Sequence, residues 1–205
     1  MTPRAHTIAD LDPQTSVLLT VDSDLDRRSV FLESITPHDE TAVTIVLATA
    51  ASGEELLGEF DEPTPPAEHL EVIDGTIHST SSDETPNDVQ FMPPVWEYLT
   101  NLGDEFSRTL DQLQTEFDNQ QSALRNTVGF YSLGPLLDYA DDPELVFRFC
   151  CILLNQIDNA GGRGVFVIDD SYTTNINRLE VLFDKRVGFE ASPDGERTRS
   201  LTTTV

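Results

Sequence analysis

Three strand-exit segments carry the residues with the most chemical potential. The apolar run "VLLTV", Val17–Val21, delivers straight into Asp22, Asp24 and Asp26. The run "VFVIDD" ends in Asp169 and Asp170, and "TVGFYS" ends in Ser132. A carboxylate at a strand exit can attack a phosphoryl group, carry a proton or ligate a hard cation. It can also cap the next helix by accepting its first free N–H groups, the reading favoured here for the acids after Val21. Ser132 lacks the glycine-flanked setting of a nucleophile elbow, so a hydroxyl bonded to backbone is its expected role.

The segment "LLTVDSD" resembles the opening of the haloacid-dehalogenase-like phosphohydrolases, in which an apolar strand runs into D-x-D. That resemblance implies Asp22 as nucleophile, Asp24 as general acid and base, and Ser132 at the end of a second strand. It also implies Asp169 and Asp170, with Asp22, as holders of Mg²⁺. The chain departs from the pattern twice. Asp26 stands where threonine or valine belongs, and the orienting lysine is missing because Lys185, the only lysine, follows the acid pair. A calcium loop is a second reading, since Asp22, Asp24, Asp26 and Glu33 count as positions 1, 3, 5 and 12 of an EF-hand. Arg27 then replaces the required glycine, and a strand rather than a helix precedes the loop.

The elements that position these residues alternate between strand and helix. Strands are expected at Val17–Val21, Ala42–Thr49, Leu70–Asp74, Thr127–Leu133 and Gly164–Asp170, most of them continuously apolar. Asp26 caps a helix to Ile35, Ser52 one to Phe60, Asp142-Pro143 opens one to Asn159, and Thr173 or Thr174 caps one to Phe183. From Trp96 to Phe117, apolar residues recur at steps of three and four, including Leu99, Phe106 and Leu110. That spacing gives a long amphipathic helix. Ser192-Pro193-Asp194-Gly195 is a turn between two closing strands. The expected fold is α/β and three-layered, a mostly parallel sheet with helices on both faces and a C-terminal antiparallel edge hairpin. Residues 1–15 are a polar lead, 16–205 one domain, and 78–94 a flexible insertion.

This order of elements resembles the RecA/KaiC-like ATPase core, and more closely its divergent haloarchaeal relatives. The resemblance rests on "VLLTV", "TVGFYSLGPLLDYADDPELVFRFCCILLNQI", "GGRGVFVIDD" and "LFDKRVGFEASPDGERTRSL", from Val17 to Thr204. It implies a phosphate loop between Val21 and Ser29, where G-x-x-x-x-G-K-[ST] belongs. Neither glycine nor lysine stands there, and three carboxylates do. Each like-charge contact near 4 Å costs about 1 kcal/mol even in water, which Arg27 and Arg28 offset only in part. The magnesium-organising acid expected at the fourth strand's end is replaced by Tyr131-Ser132. ATP hydrolysis is therefore not expected.

Composition narrows the partners. Asp and Glu number 37 against 12 Lys and Arg, a formal charge of −25. Such a surface repels nucleic acid and anionic lipid, and it suits molar salt, where charges more than about 3 Å apart are screened. Cys150 and Cys151 are helix neighbours that do not bridge, and no apolar run reaches membrane length, so a soluble cytoplasmic protein is expected. His6, His38, His69 and His78 show no ligand spacing. The functional expectation is a RecA/KaiC-like domain that has lost catalysis and acts by protein–protein contact, as a regulatory or signalling accessory. No cofactor is expected. Its partner is another protein or a second copy; the Trp96–Phe117 seam is most simply the face packed on the sheet, and a share of it, Trp96, Leu99, Phe106 and Leu110, is the candidate contact face.

Overall fold

The computed structural model describes residues 11–12, 14–36, 42–57, 70–76, 93–118, 125–191 and 197–203. Seven strands form one sheet: β1 (Val17–Val21), β2 (Ala42–Ala48), β3 (Leu70–Asp74), β4 (Arg125–Tyr131), β5 (Arg163–Asp169), β6 (Lys185–Ala191) and β7 (Arg197–Thr203). Their order is β3-β2-β4-β5-β1-β6-β7. The first six run parallel, and β7 pairs antiparallel with β6 at one edge. Among the described residues, six α-helices connect the strands: α1 (Arg27–Ile35), α2 (Gly53–Leu57), α3 (Val95–Asp118), α4 (Gly134–Tyr139), α5 (Pro143–Asn159) and α6 (Thr173–Leu179), the last running into a 3-10 turn at Glu180–Leu182.

The strand order dictates the layers. Connections from β1 to β2 and from β2 to β3 travel one way along the sheet, and the next three travel the other way. Right-handed crossovers then put α1 and α2 on one face and α3 to α6 on the opposite face. The packing agrees. Val17, Leu19 and Val21 of β1 meet Val30, Phe31 and Leu56 on one side. Leu18 joins the core that holds α3, α5 and α6 on the other. Alternate residues of one strand thus serve two cores, which is why the central strands read as unbroken apolar runs.

Local sequence explains most element starts. Asp26 accepts the N–H groups of Arg28 and Ser29 at 3.1 and 3.3 Å. Ser52 and Glu55 form a capping box, with the Ser52 hydroxyl taking the Glu55 N–H at 3.2 Å and Glu55 taking the Ser52 N–H at 3.0 Å. Asp142 caps α5 ahead of Pro143. Replacing Asp26 by alanine should cost about 0.5–2 kcal/mol, the usual worth of an N-cap. Urea unfolding followed by circular dichroism checks it, and no change in midpoint would refute the cap.

Several expectations need correction. Leu99, Phe106 and Leu110 are 6%, 0% and 6% exposed. The α3 seam is therefore core, and these three residues cannot receive a partner; the long apolar stripe is instead consumed by the sheet. Trp96, counted in the same seam, is 60% exposed. Helix α6 follows Tyr172 with no side-chain cap, not a threonine cap; the Thr173 hydroxyl bonds the Asp170 carbonyl instead. The fourth strand ends at Tyr131, two residues early, because Ser132 turns into the left-handed region at φ 69°. The four histidines, the 192–196 turn, the end of the second helix and most of 78–94 lie outside the described residues.

Candidate functional site

Parallel sheets place ligands at the carboxyl ends of the strands, where connections leave to opposite faces. Here that crevice lies between β1, which leads into α1, and β5, which leads toward α6 on the opposite face. The sequence-predicted residues do gather at this edge: Asp22 and Asp24 after β1, Ser132 after β4, and Asp169 and Asp170 at the end of β5.

Asp22, Asp26 and Asp169 already have partners within the chain. One oxygen of Asp22 accepts the Asp24 N–H at 2.9 Å, and the other accepts the Ala191 N–H of β6 at 3.3 Å. Asp22 thus ties the β1 exit to β6. Asp26 is spent on the α1 cap. Asp169 accepts the Ser171 N–H at 2.9 Å on one oxygen. Its other oxygen is ion-paired with the Arg27 guanidinium. Asp170 sits near the charges of Asp22 and Asp169.

The electrostatics follow from that arrangement. Burial pushes the Asp169 carboxyl up, but hydrogen bonds from Ser171 and the Arg27 charge outweigh it and hold the group below its ordinary value of 3.8. Asp170 goes the other way, raised by burial and by its two acidic neighbours. Burial also raises the Tyr131 hydroxyl, against the charges of Arg27 and Arg28. Burial and the hydrogen bond to Asp138 push Tyr172 up to about 12.

A depressed carboxylate stabilises the fold above its unfolded pKa, and that stability fades as pH falls through the folded value. Asp169→Asn should therefore flatten the acid limb of the stability profile below about pH 4, the ordinary carboxylate range. Urea midpoints from pH 2 to 6 test this. An acid limb as steep as wild type would show that the Arg27 pair contributes nothing.

Arg27 is the residue that sequence reasoning undervalued. Its place in the chain suggests only partial compensation for three nearby acids, yet its partner is Asp169, 142 positions later in the chain. No spacing rule reveals such a pair. Ser132 and Thr49 meet where β4 and β2 end. The Thr49 hydroxyl donates to the Ser132 carbonyl at 2.5 Å, and the Leu133 N–H donates to Val167 at 2.8 Å. The Ser132 hydroxyl itself is buried without a hydrogen-bond partner, as is Arg27 Nε.

The acids of this edge are engaged by the chain's own donors. A guanidinium lies on Asp169, where a cation would have to sit, and backbone N–H groups hold both oxygens of Asp22. Among the described residues no three His, Cys, Asp or Glu side chains converge on a common point.

The match to a known protein family covers residues 14–189, from the turn before β1 into β6. The chain belongs to DUF7504, a family of unknown function. Asp22, Arg27, Ser132, Asp169 and Asp170 lie inside the DUF7504 span, and Ala191 and β7 lie beyond it. No curated protein matches the chain. Among the described residues no helix is long and apolar enough to cross a membrane.

Proposed function

We propose that the chain is a RecA/KaiC-like domain of a halophilic archaeon, cytoplasmic and without catalysis, that works by contact with another protein or a second copy. The observation that carries this reading is the closed corner. Where a nucleotide site needs glycine backbone and an ammonium, Arg27 is ion-paired with the chain's own Asp169 and Asp22 is tied to β6. A polyphosphate arriving there meets Asp22, Asp169 and Asp170. The phosphohydrolase reading would need a lysine to orient the phosphoryl group, and the only lysine, Lys185, stands at the start of β6.

Calorimetric titration with Mg-ATP in molar KCl tests the reading. No saturable heat is expected, and micromolar binding would overturn it. The exposed apolar side chains of Trp96, Ile152 and Val181 support a role in contact. Trp96 is the sole tryptophan and is exposed, so its emission reports directly on being covered. If a second copy is the partner, the emission shifts to the blue as protein concentration rises. Unchanged emission together with a monomeric sedimentation profile would leave another protein as the only partner in this reading.

A further inference from the structure

We infer that the cavity at the amino edge of the sheet binds a short alkylammonium group, its charged head between Asp158 and Asp184 and its chain against Leu154 and Leu182. The inference is independent of the contact reading above, because it concerns the end of the sheet opposite the Arg27 corner.

The cavity holds about 260 Å³. It lies where β1, β5 and β6 begin and α5 ends, and its lining brings together Gln14, Asn155, Asp158 and Asp184 with Leu154 and Leu182. The four polar residues are exposed and the two leucines are half-buried. No cationic side chain shares the lining. Arg163 and Lys185 adjoin lining residues in the chain, but strand alternation turns both to the sheet's other face. There Arg163 donates to the Leu11 and Asp12 carbonyls at 2.7 and 3.1 Å. Lys185 shares the face of Val187 and Phe189, which pack in the core beneath α1.

The negative charge in the cavity is therefore largely unmet. One Asp184 oxygen accepts the Ser16 N–H and hydroxyl, each at 2.7 Å. Its other oxygen and the Asp158 carboxylate take no hydrogen bond or ion pair among the described residues. Helix α5 adds a second source of the same sign. It is 17 residues long, ends beside the cavity and has no basic residue in its last turn. A helix C-terminus carries about half a negative charge, which a cation there offsets.

The lining also selects among cations. An ammonium head brings three N–H donors to a set of acceptors. Asn155 fits that role, because its amide nitrogen is spent on the Cys151 carbonyl at 3.1 Å. A bare metal ion would leave the leucine wall unused, and the space is several times the roughly 30 Å³ share of one water. A primary amine on a short aliphatic chain uses both parts of the lining.

The test is calorimetric titration of the full chain in molar KCl with n-butylammonium, tetramethylammonium, n-butanol and the blocked peptide acetyl-Gly-Lys-Gly-amide. Butylammonium should bind saturably, and butanol should not bind. Tetramethylammonium, which has no N–H to donate, should bind about tenfold more weakly, the usual worth of a hydrogen bond to a charged group. Asp158→Asn should lower butylammonium affinity by a similar factor, and so should Asp184→Asn, whose amide oxygen can still accept from Ser16. Glu97→Gln, an exposed acid at the start of α3 outside the cavity lining, is the control and should leave affinity unchanged. Binding of butylammonium alone supports a free amine as ligand, and binding of the peptide as well supports a lysine side chain. No saturable binding of either amine overturns the inference. Equal losses in Asp158→Asn and Glu97→Gln also overturn it, because they would show only attraction to an acidic surface.

Discussion

Phe106→Ala should cost about 3–5 kcal/mol of folding stability, the range for emptying a buried phenylalanine site. Phe106 is fully buried at the middle of α3 and belongs to the core that also contains Phe130, Phe149 and Leu102. The sheet below it is rigidly paired, and Phe130 is stacked on Phe166 with ring centroids 5.4 Å apart. Neighbours so constrained collapse poorly into a void, which favours the upper part of the range. Phe106→Asp should prevent folding altogether, because a carboxylate would be buried without a partner. Chemical denaturation monitored by circular dichroism measures the alanine variant. A loss below 1 kcal/mol would mean that α3 does not seat on the sheet as described, and would reopen its seam as a contact face.

The second large effect is expected at Gly129 in β4. A Cβ at this position would lie 2.7 Å from Phe31 Cζ and 2.9 Å from Ile35 Cγ2. Both neighbours are buried, Phe31 fully, so neither can swing aside into solvent. The glycine lets α1 lie close against β4. Gly129→Ala should destabilise by about 1–3 kcal/mol, the usual cost of overpacking. Gly129→Val should cost more. The effect reaches the crevice, since α1 begins with Arg27 and any lift of the helix pulls the guanidinium from Asp169. The acid limb assigned to Asp169 should therefore weaken in Gly129→Ala. Trimming the obstructing ring, in Phe31→Leu with Gly129→Ala, should recover part of the loss as a coupling energy. Strictly additive losses would show that the ring is not what the new methyl meets.

Exposed ion pairs deserve no comparable expectation. Arg178 lies 2.6 Å from Glu144, yet both side chains are well exposed. Such pairs contribute little, and less in high salt.

Much of the fold was legible because it depends on short-range physics. The unbroken apolar runs of β1, β2 and β5 report burial on both faces, and the three- and four-residue steps of α3 report one buried stripe. Asp26, Ser52 and Asp142 announce helix starts because capping joins residues two or three apart. The segment after Val21 offers neither the glycine nor the lysine that a phosphate cradle uses, and that is legible in the residues alone. Periodicity could not say what would cover the α3 stripe, because an apolar face reads the same whether a sheet or a partner buries it. Nor could it place Arg27 on Asp169, or Asp22 on Ala191, because those contacts join residues 142 and 169 positions apart. Only the order in which the strands assemble brings them together. The left-handed turn at Ser132 is of the same kind, forced on a serine by clamps from β2 and β5 that local propensity does not encode. Local patterning is enough to say which groups stand at the sheet's carboxyl edge. Which of them neutralise one another depends on the assembled fold, because charge pairing falls off with distance in space and is blind to distance along the chain.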